Sequence, residues 1–535
     1  MIDFGTKNMS SEPTTSLPSN PVSLQAVPPT AQKSRDAFFS EQKWNFKPPS
    51  PSRAGGRFAK DDRFFRGRKS KKVSEKKIII KSGELPSLYT TALATIAQAL
   101  LNGTLPGIDS CSALVAYGLS PKMRTDLFSI LQRSGALPPD AVDTLLCDEV
   151  FDLDLTSMML SWERIQQIAS LCPYVTSLTL RSTIVQKDAG NVGANLHSLF
   201  PNLAVLEVSG YTTLGTQCLF DALRTDWAGG LTKVCLAGID LASLAPLFEP
   251  ASGSELETRP MLFLPSVREL DLSSAAVPIS LLRHLDVAVP AVEILNLSKA
   301  IPDFSVPIFS LPPTCHTLDL SRFGTGRKGK WTGAGIEPPA FASIVAHVPH
   351  LRVLKMGRAN LDASINLASL IAAVAVSNIE VFDLAHLALP KEALHRALAD
   401  ALWGCLDISE NPEGGLDMDT VSAVMECGEG LFTSLLDLDI SGWGFDNVLF
   451  KLLCCVLSTS PLTRLSISSL QCRNHATFSV PGVSSGLIKL GSRGLVLSYL
   501  DIWALPFMSP ELRGDLCAGE SGFTIVIPNY TTVRF

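Results

Sequence analysis

A glycine-rich stretch is the first place where this sequence could carry chemistry. Residues 324–329 read GTGRKG and match the GxGxxG pattern that dinucleotide-binding proteins place between a strand and a helix. That site needs a helix to follow, because the helix N-terminus binds the pyrophosphate. The chain continues instead with KWTGAGIEPP, which opens no helix. We interpret the stretch as an inserted loop whose cations, Arg322, Arg327, Lys328 and Lys330, are solvated or contact an anionic partner.

The histidines and cysteines do not have the spacings of common catalytic or metal sites. The sequence contains eight histidines and twelve cysteines, but no HExxH and no CxxC pair. Most of the cysteines lie in apolar segments such as KLLCCVL, which is typical of reduced thiols in a core. We therefore expect neither an enzyme nor a metal or other cofactor, and we look for binding surfaces instead.

One apolar motif recurs about twelve times and must position any such surface. Its form is apolar-x-x-apolar-x-apolar, as in VTSLTL, VRELDL, CHTLDL and LLDLDI. The second apolar residue falls at Leu178, Leu206, Val234, Leu270, Leu295, Leu318, Leu354, Phe382, Leu406, Leu438, Leu465 and Leu500, about 29 residues apart on average. This is the signature of a leucine-rich repeat, with one short strand per repeat and a helix on the return. We expect an α/β horseshoe solenoid of about 12 repeats, with helices on its convex side.

Composition and sequence pattern divide the chain into four segments. Residues 1–82 are rich in Pro, Ser, Lys and Arg, with sixteen Lys/Arg against five Asp/Glu in residues 33–81, and we expect a disordered basic arm. Residues 83–150 predict a small helical cap or adaptor-binding segment, residues 151–510 the solenoid, and residues 511–535 a C-terminal cap. No apolar run is long enough to span a bilayer, so we expect a soluble intracellular protein.

The concave face of the predicted solenoid is acidic. Between the two leucines of each strand, one side chain should point to solvent, because side chains alternate along a strand. Seven of these twelve residues are acidic, namely Glu207, Asp271, Asp319, Asp383, Asp407, Asp439 and Asp501. Such a stripe would attract a basic client and repel a phosphate backbone. Alternatively, these acids and the serines after them belong only to the repeat consensus.

The basic arm carries a second candidate surface. Its densest run, RGRKSKK, contains Arg66, Arg68, Lys69, Lys71 and Lys72. Clustered cations of this kind are compatible with nuclear import and with weak nucleic-acid contact. We expect a nuclear protein, with a cytoplasmic location as the alternative, and the run could equally be a solvated tail.

An amphipathic helix follows the arm and resembles a known docking element. In a helix over 87–100, Leu88, Ala92 and Ile96 share one face at i, i+4 spacing. With Ser87 they resemble the elongin-C-binding box, although Ala92 stands where a cysteine is usual. The order of segments over roughly 85–180, including LPSLYTTALATIAQAL and FDLDLTSMMLSWERIQQIASLCPYVTSLTL, resembles the Rad-seven type of leucine-rich-repeat protein, within the wider group of F-box-like repeat adaptors.

That resemblance implies a function. It suggests a substrate-recognition subunit that joins elongin C in a cullin ubiquitin ligase, with a link to nucleotide-excision repair. The alternative is a generic leucine-rich-repeat scaffold with no ligase link, in which residues 83–150 only cover the first repeat.

Overall fold

The computed structural model describes most of the chain from Leu88 onward. The described residues are 88–104, 111–116, 118–135, 137, 141–181, 184–185, 192–209, 219, 223, 229–242, 263–325, 334–390, 393, 404–409, 411, 434–442, 447–457, 460–467, 499–501, 524–527 and 530–534.

Among the described residues, four helices precede the first strand. They are α1 (Leu88–Leu101), α2 (Cys111–Ala116), α3 (Pro121–Arg133) and α4 (Ala141–Leu145). Helix α3 begins at Pro121, because the Ser120 hydroxyl accepts from the Met123 N–H at 3.4 Å and proline fits the first turn of a helix. Leu93, Ala97 and Leu100 form the buried side of α1, which packs against α3. Helix α2 is a short element that the sequence did not predict.

A sheet of fifteen strands forms the main part of the molecule. Its strands, in spatial order, are β1 (Asp152–Asp154), β3 (Ser177–Thr179), β5 (Val205–Glu207), β6 (Lys233–Cys235), β7 (Glu269–Asp271), β9 (Ile294–Asn296), β11 (Thr317–Asp319), β12 (Val353–Lys355), β13 (Val381–Asp383), β14 (Cys405–Asp407), β15 (Asp437–Asp439), β16 (Arg464–Ser466), β17 (Tyr499–Asp501), β18 (Thr524–Ile527) and β19 (Tyr530–Arg534). Every neighbouring pair is parallel except β18 and β19. The expected α/β architecture with a long parallel sheet is confirmed.

The register of the sheet follows the apolar motif. Leu318 pairs with Leu295 on one side and Leu354 on the other, and the motif leucines of the remaining strands pair in the same way. All of these central side chains from Leu178 to Leu465 are buried at 5% exposure or less. Strand β1 has the same pattern, with Val150, Leu153 and Leu155 buried, so the motif recurs once more than the sequence analysis counted.

Shorter elements connect the strands. The helices are α5 (Trp162–Leu171), α6 (Val192–Leu199), α7 (Ile279–Arg283), α8 (Leu285–Ala288), α9 (Pro338–His347), α10 (Leu367–Ala375) and α11 (Asn447–Leu457), with a 3₁₀ turn over Val348–His350. Helices α9 and α10 follow β11 and β12, on the return segments where the repeat motif predicts helices. Two small parallel sheets pair β2 (Met159–Leu160) with β4 (Ile184–Val185), and β8 (Ala276–Val277) with β10 (Ile301–Pro302).

One apolar cluster runs from Ala97 in α1 to Ile467 after β16, so the N-terminal helices and the sheet share a core. Eight cysteines are described and all are free thiols. Burial raises the pKa of Cys172 and of Cys315 to about 12, which suppresses thiolate formation at neutral pH. Among the described helices, none has the length and apolar character needed to cross a membrane.

Candidate protein-binding surfaces

The acidic side chains at the ends of the strands help to form the turns that follow them. In each case one carboxylate oxygen accepts the backbone N–H two residues later. These bonds join Asp271 to Ser273 (2.8 Å), Asp319 to Ser321 (2.9 Å), Asp383 to Ala385 (2.9 Å), Asp407 to Ser409 (2.9 Å) and Asp439 to Ser441 (2.8 Å). Asn296 makes the same bond to Ser298 at 3.0 Å with its amide oxygen. An acceptor at this position therefore satisfies a backbone donor that the chain reversal would leave unpaired.

The acidic row is less exposed than the sequence predicted. We use this name for Glu207, Asp271, Asp319, Asp383, Asp407 and Asp439, the described acids at the last position of their strands. All six are half-buried rather than fully exposed. These carboxylates are only partly accessible, because side chains of adjacent strands crowd one another and five of the carboxylates turn back to their own backbone. A role for this row in binding a basic client stays a prediction.

Three members of the row lie on adjacent strands, and the outer two raise the pKa of the middle one. Asp407 is paired in register with Asp383 on one side and Asp439 on the other. Burial is the largest cause and the two neighbouring carboxylates add to it, which raises the pKa of Asp407 to about 6. Burial likewise raises the pKa of Asp383, against the bond from Ala385 and the charge of Lys355. Below about pH 6 the local charge here is therefore smaller than a count of aspartates implies.

Cations pair with some of the acidic side chains on this face of the sheet. Arg181 pairs with Glu207 at 3.5 Å, and Lys233 pairs with Glu269 across neighbouring strands at 2.8 Å. The acidic stripe predicted from the sequence consists only of residues that lie between the two motif leucines. The residue before the first of them also reaches this face, since side chains alternate along a strand, so the charges of Lys233 and Glu269 were overlooked.

The predicted docking face of α1 is accessible in part. Leu88 is 87% exposed and Ala92 is exposed, whereas Ile96 is half-buried against the core. Tyr89, beside Leu88, donates its hydroxyl to Asp126 of α3 at 2.8 Å and so holds the start of the helix in place. Because Leu93, Ala97 and Leu100 anchor the opposite side, α1 presents Leu88 and Ala92 without losing its own packing.

Some predicted residues lie outside the described part of the chain. They are the arm residues Arg66, Arg68, Lys69, Lys71 and Lys72, the box residue Ser87, and the loop cations Arg327, Lys328 and Lys330. Asp501 lies in β17, and its side chain is likewise not described. These predictions stay as they were made.

The described residues include no cluster of three or more His, Cys, Asp or Glu side chains that could hold a metal ion. No protein-family model matches the chain, and no curated protein matches it either. Any functional conclusion therefore rests on the arrangement of this chain's own residues.

Proposed function

We propose that the protein is a non-enzymatic leucine-rich-repeat solenoid that binds other proteins. The observation that carries this proposal is the register of the motif leucines on neighbouring parallel strands, each followed by a turn. Stacked repeats bury a continuous apolar core and leave a long solvent-facing sheet, which suits protein recognition. The roughly 12 repeats of about 29 residues and their horseshoe curvature belong to this proposal.

Asn411 supports the repeat type. This residue is fully buried, and its amide nitrogen donates to the carbonyls of Leu384 (3.1 Å), Ile408 (2.8 Å) and Ser409 (3.2 Å). Its amide oxygen accepts from the Leu389 N–H at 3.3 Å. An asparagine after the strand that joins two neighbouring repeats through backbone groups fits the LxxLxLxxN pattern of leucine-rich repeats.

We further propose that α1 makes this solenoid a ubiquitin-ligase adaptor. An amphipathic helix binds in a groove through anchors at i and i+4, and Leu88, Ala92 and Ile96 have that spacing. The exposure of Leu88 is unusual for leucine and leaves its side chain available to a partner such as elongin C. The alternative is a plain scaffold, which the core shared by α1 and the sheet favours, because a cap would be built in the same way.

The remaining parts take supporting roles. The basic arm would place the assembly in the nucleus and make weak nucleic-acid contacts, and the acidic row would face a basic client. A link to DNA repair rests on the resemblance alone.

The experiment measures elongin C pull-down and thermal melting for the full chain. We expect Leu88→Asp to abolish pull-down without lowering the melting temperature, since an unpaired carboxylate is costly to bury at an interface but free to remain hydrated at an exposed site. Val376→Asp is the matched control, because Val376 is 88% exposed on another part of the molecule and should change neither property. Absence of elongin C from the wild-type pull-down would leave the plain scaffold as the better reading.

A further inference from the structure

Four basic side chains occupy equivalent backbone positions after four neighbouring strands. Lys299 follows β9, Arg322 follows β11, Arg358 follows β12 and His386 follows β13, and these strands are consecutive in the sheet. The backbone N–H of each residue donates to a carbonyl in the turn after the next strand. That carbonyl belongs to the residue one before the equivalent position in that turn. The acceptors are Ser321 (2.7 Å), Gly357 (2.7 Å), Ala385 (2.8 Å) and Ser409 (2.9 Å), in that order. We call these four residues the basic row.

All four residues have a backbone conformation that disfavours their side chains. Their φ angles are 58°, 60°, 58° and 57°, in the left-handed region. The corresponding positions after β6 and β15 are Gly238 and Gly442, which adopt this conformation without steric cost. Large side chains at such positions are strained, and strain of this kind is commonly kept where it serves a function.

The described residues provide little negative charge to neutralise the basic row. Ion pairs in this part of the sheet join other residues, such as Arg352 with Glu380. Within the part of the chain that the structure describes, no carboxylate lies within 4.0 Å of the charged groups of Lys299, Arg322 or Arg358. Lys299 and Arg322 are exposed, so both are available to a ligand from outside.

His386 positions one of these cations. The guanidinium of Arg358 contacts Nε2 of His386. Burial and the neighbouring charges of Arg358 and Arg322 lower the pKa of His386 to about 4, so at pH 7 the ring is neutral and accepts from the guanidinium. The neutral ring thereby orients Arg358 without neutralising its positive charge.

We infer that the basic row binds an acidic segment of a protein client, through carboxylate or phosphoserine groups. Guanidinium groups bind both in a forked geometry. This inference rests on the proposed protein-binding function and identifies one class of client for it.

The extent of the row favours a short acidic segment over a nucleic acid. Three strand spacings span about 14 Å, enough for only a few anionic groups. The equivalent positions beyond the row include the uncharged Ser274 on one side and Gly442 on the other. A longer phosphate backbone would also pass Asp319 and Asp383 of the acidic row, which lie three residues before Arg322 and His386.

The experiment uses the full chain and three fluorescein-labelled probes. These are a glutamate–glycine peptide, a phosphoserine–glycine peptide of the same length, and single-stranded oligothymidine. Anisotropy at low and physiological salt gives the affinity of each. We expect both peptides to bind, and the double variant Arg322→Gly/Arg358→Gly to weaken them at least tenfold, because two charge-assisted contacts are lost.

Matched variants separate charge from backbone effects. Glycine fits the left-handed conformation, so the double variant should melt no lower than the wild type. Ser157→Gly/Ser274→Gly makes the same backbone change without removing charge, since both serines also have positive φ. Arg283→Gln removes an exposed cation from α7, outside the row. Neither control should change peptide affinity.

Two results would overturn the inference. One is that neither peptide binds the wild type, or that both bind the double variant as well as the wild type. The other is that oligothymidine binds more tightly than the peptides and loses affinity in the double variant, which would make the row a nucleic-acid site. Peptide binding without elongin C pull-down would support the row and reject only the ligase role. Elongin C pull-down without peptide binding would support the ligase role and reject the basic row as a binding site.

Discussion

The carboxylate of Asp407 accepts the backbone N–H of Ser409 at 2.9 Å, at the end of a strand that lies between two others ending in aspartate. The bond stabilises the turn, whereas the neighbouring carboxylates oppose ionisation. The two effects make the stability of this region depend on pH.

We predict that Asp407→Asn stabilises the protein at neutral pH. The pKa of Asp407 is raised from 3.8 to about 6 on folding, so the folded state binds more protons than the unfolded state between these values. The contribution of this group to stability is therefore largest below pH 4 and falls as pH rises towards 6. Asparagine keeps the acceptor and removes the charge. We expect a gain on the order of 1–3 kcal/mol at pH 7.5 that disappears below pH 4.

Urea unfolding at the two pH values measures this effect. Asp286→Asn is the control, because Asp286 is exposed in α8 and has no such neighbours in register. A gain for Asp407→Asn that is equal at both pH values would contradict the assignment.

The acidic row yields a second prediction, on association rather than stability. The combined change of Asp319, Asp383, Asp407 and Asp439 to Asn should leave the fold intact, because Asn296 already makes the same turn bond. The association rate of a labelled lysine–glycine peptide should fall, and so should its salt dependence, since exposed charges are screened over about 8–10 Å. Stopped-flow measurements at several salt concentrations test this. If neither salt nor the four changes alters the association rate, the four carboxylates only stabilise the turns.

A third prediction concerns the buried motif leucines. Leu318 and Leu438 are fully buried at the centres of β11 and β15. Replacing either by Ala should cost about 2–5 kcal/mol in the free energy of unfolding, from lost apolar burial and the cavity left behind. Denaturant unfolding of the single variants gives the cost. A value below about 1 kcal/mol would be inconsistent with a packed core position.

A fourth prediction comes from the close approach of Gly357 to Asp383. A Cβ on Gly357 would lie 2.7 Å from Oδ1 of Asp383, the oxygen that also accepts from Ala385. Gly357→Ala should therefore displace that carboxylate and destabilise the protein by about 1–3 kcal/mol. Gly229→Ala is the control, because nothing lies within 4 Å of its added Cβ.

A double-mutant cycle tests the cause of that loss. With Asp383→Ala already present, Gly357→Ala should cost much less, since the clashing carboxylate is absent. Additive costs would show that the methyl group disturbs something other than Asp383.

Much of the fold could be predicted from the sequence because its signal is local. The alternation in CHTLDL places Leu318 in the core whatever its neighbours are, and the Ser120–Pro121 pair marks the start of α3. Strand β1 could have been found in the same way, from Val150, Leu153 and Leu155. Helix α2 has too few residues to show a period.

The sequence by itself determined where the strands that carry the apolar motif lie and which of their side chains face the core, because a two-residue alternation of apolar side chains depends only on the chain near it. Only the tertiary structure decided the chemistry of the opposite face. Asp383 and Asp407 are 24 positions apart in the chain, and Arg358 and His386 are 28 apart, yet each pair meets on adjacent strands. The charge density, the pKa values and the exposure of the side chains on this face depend on which residues of adjacent strands lie next to one another. The reason is that electrostatic interactions depend on distance in space and on burial.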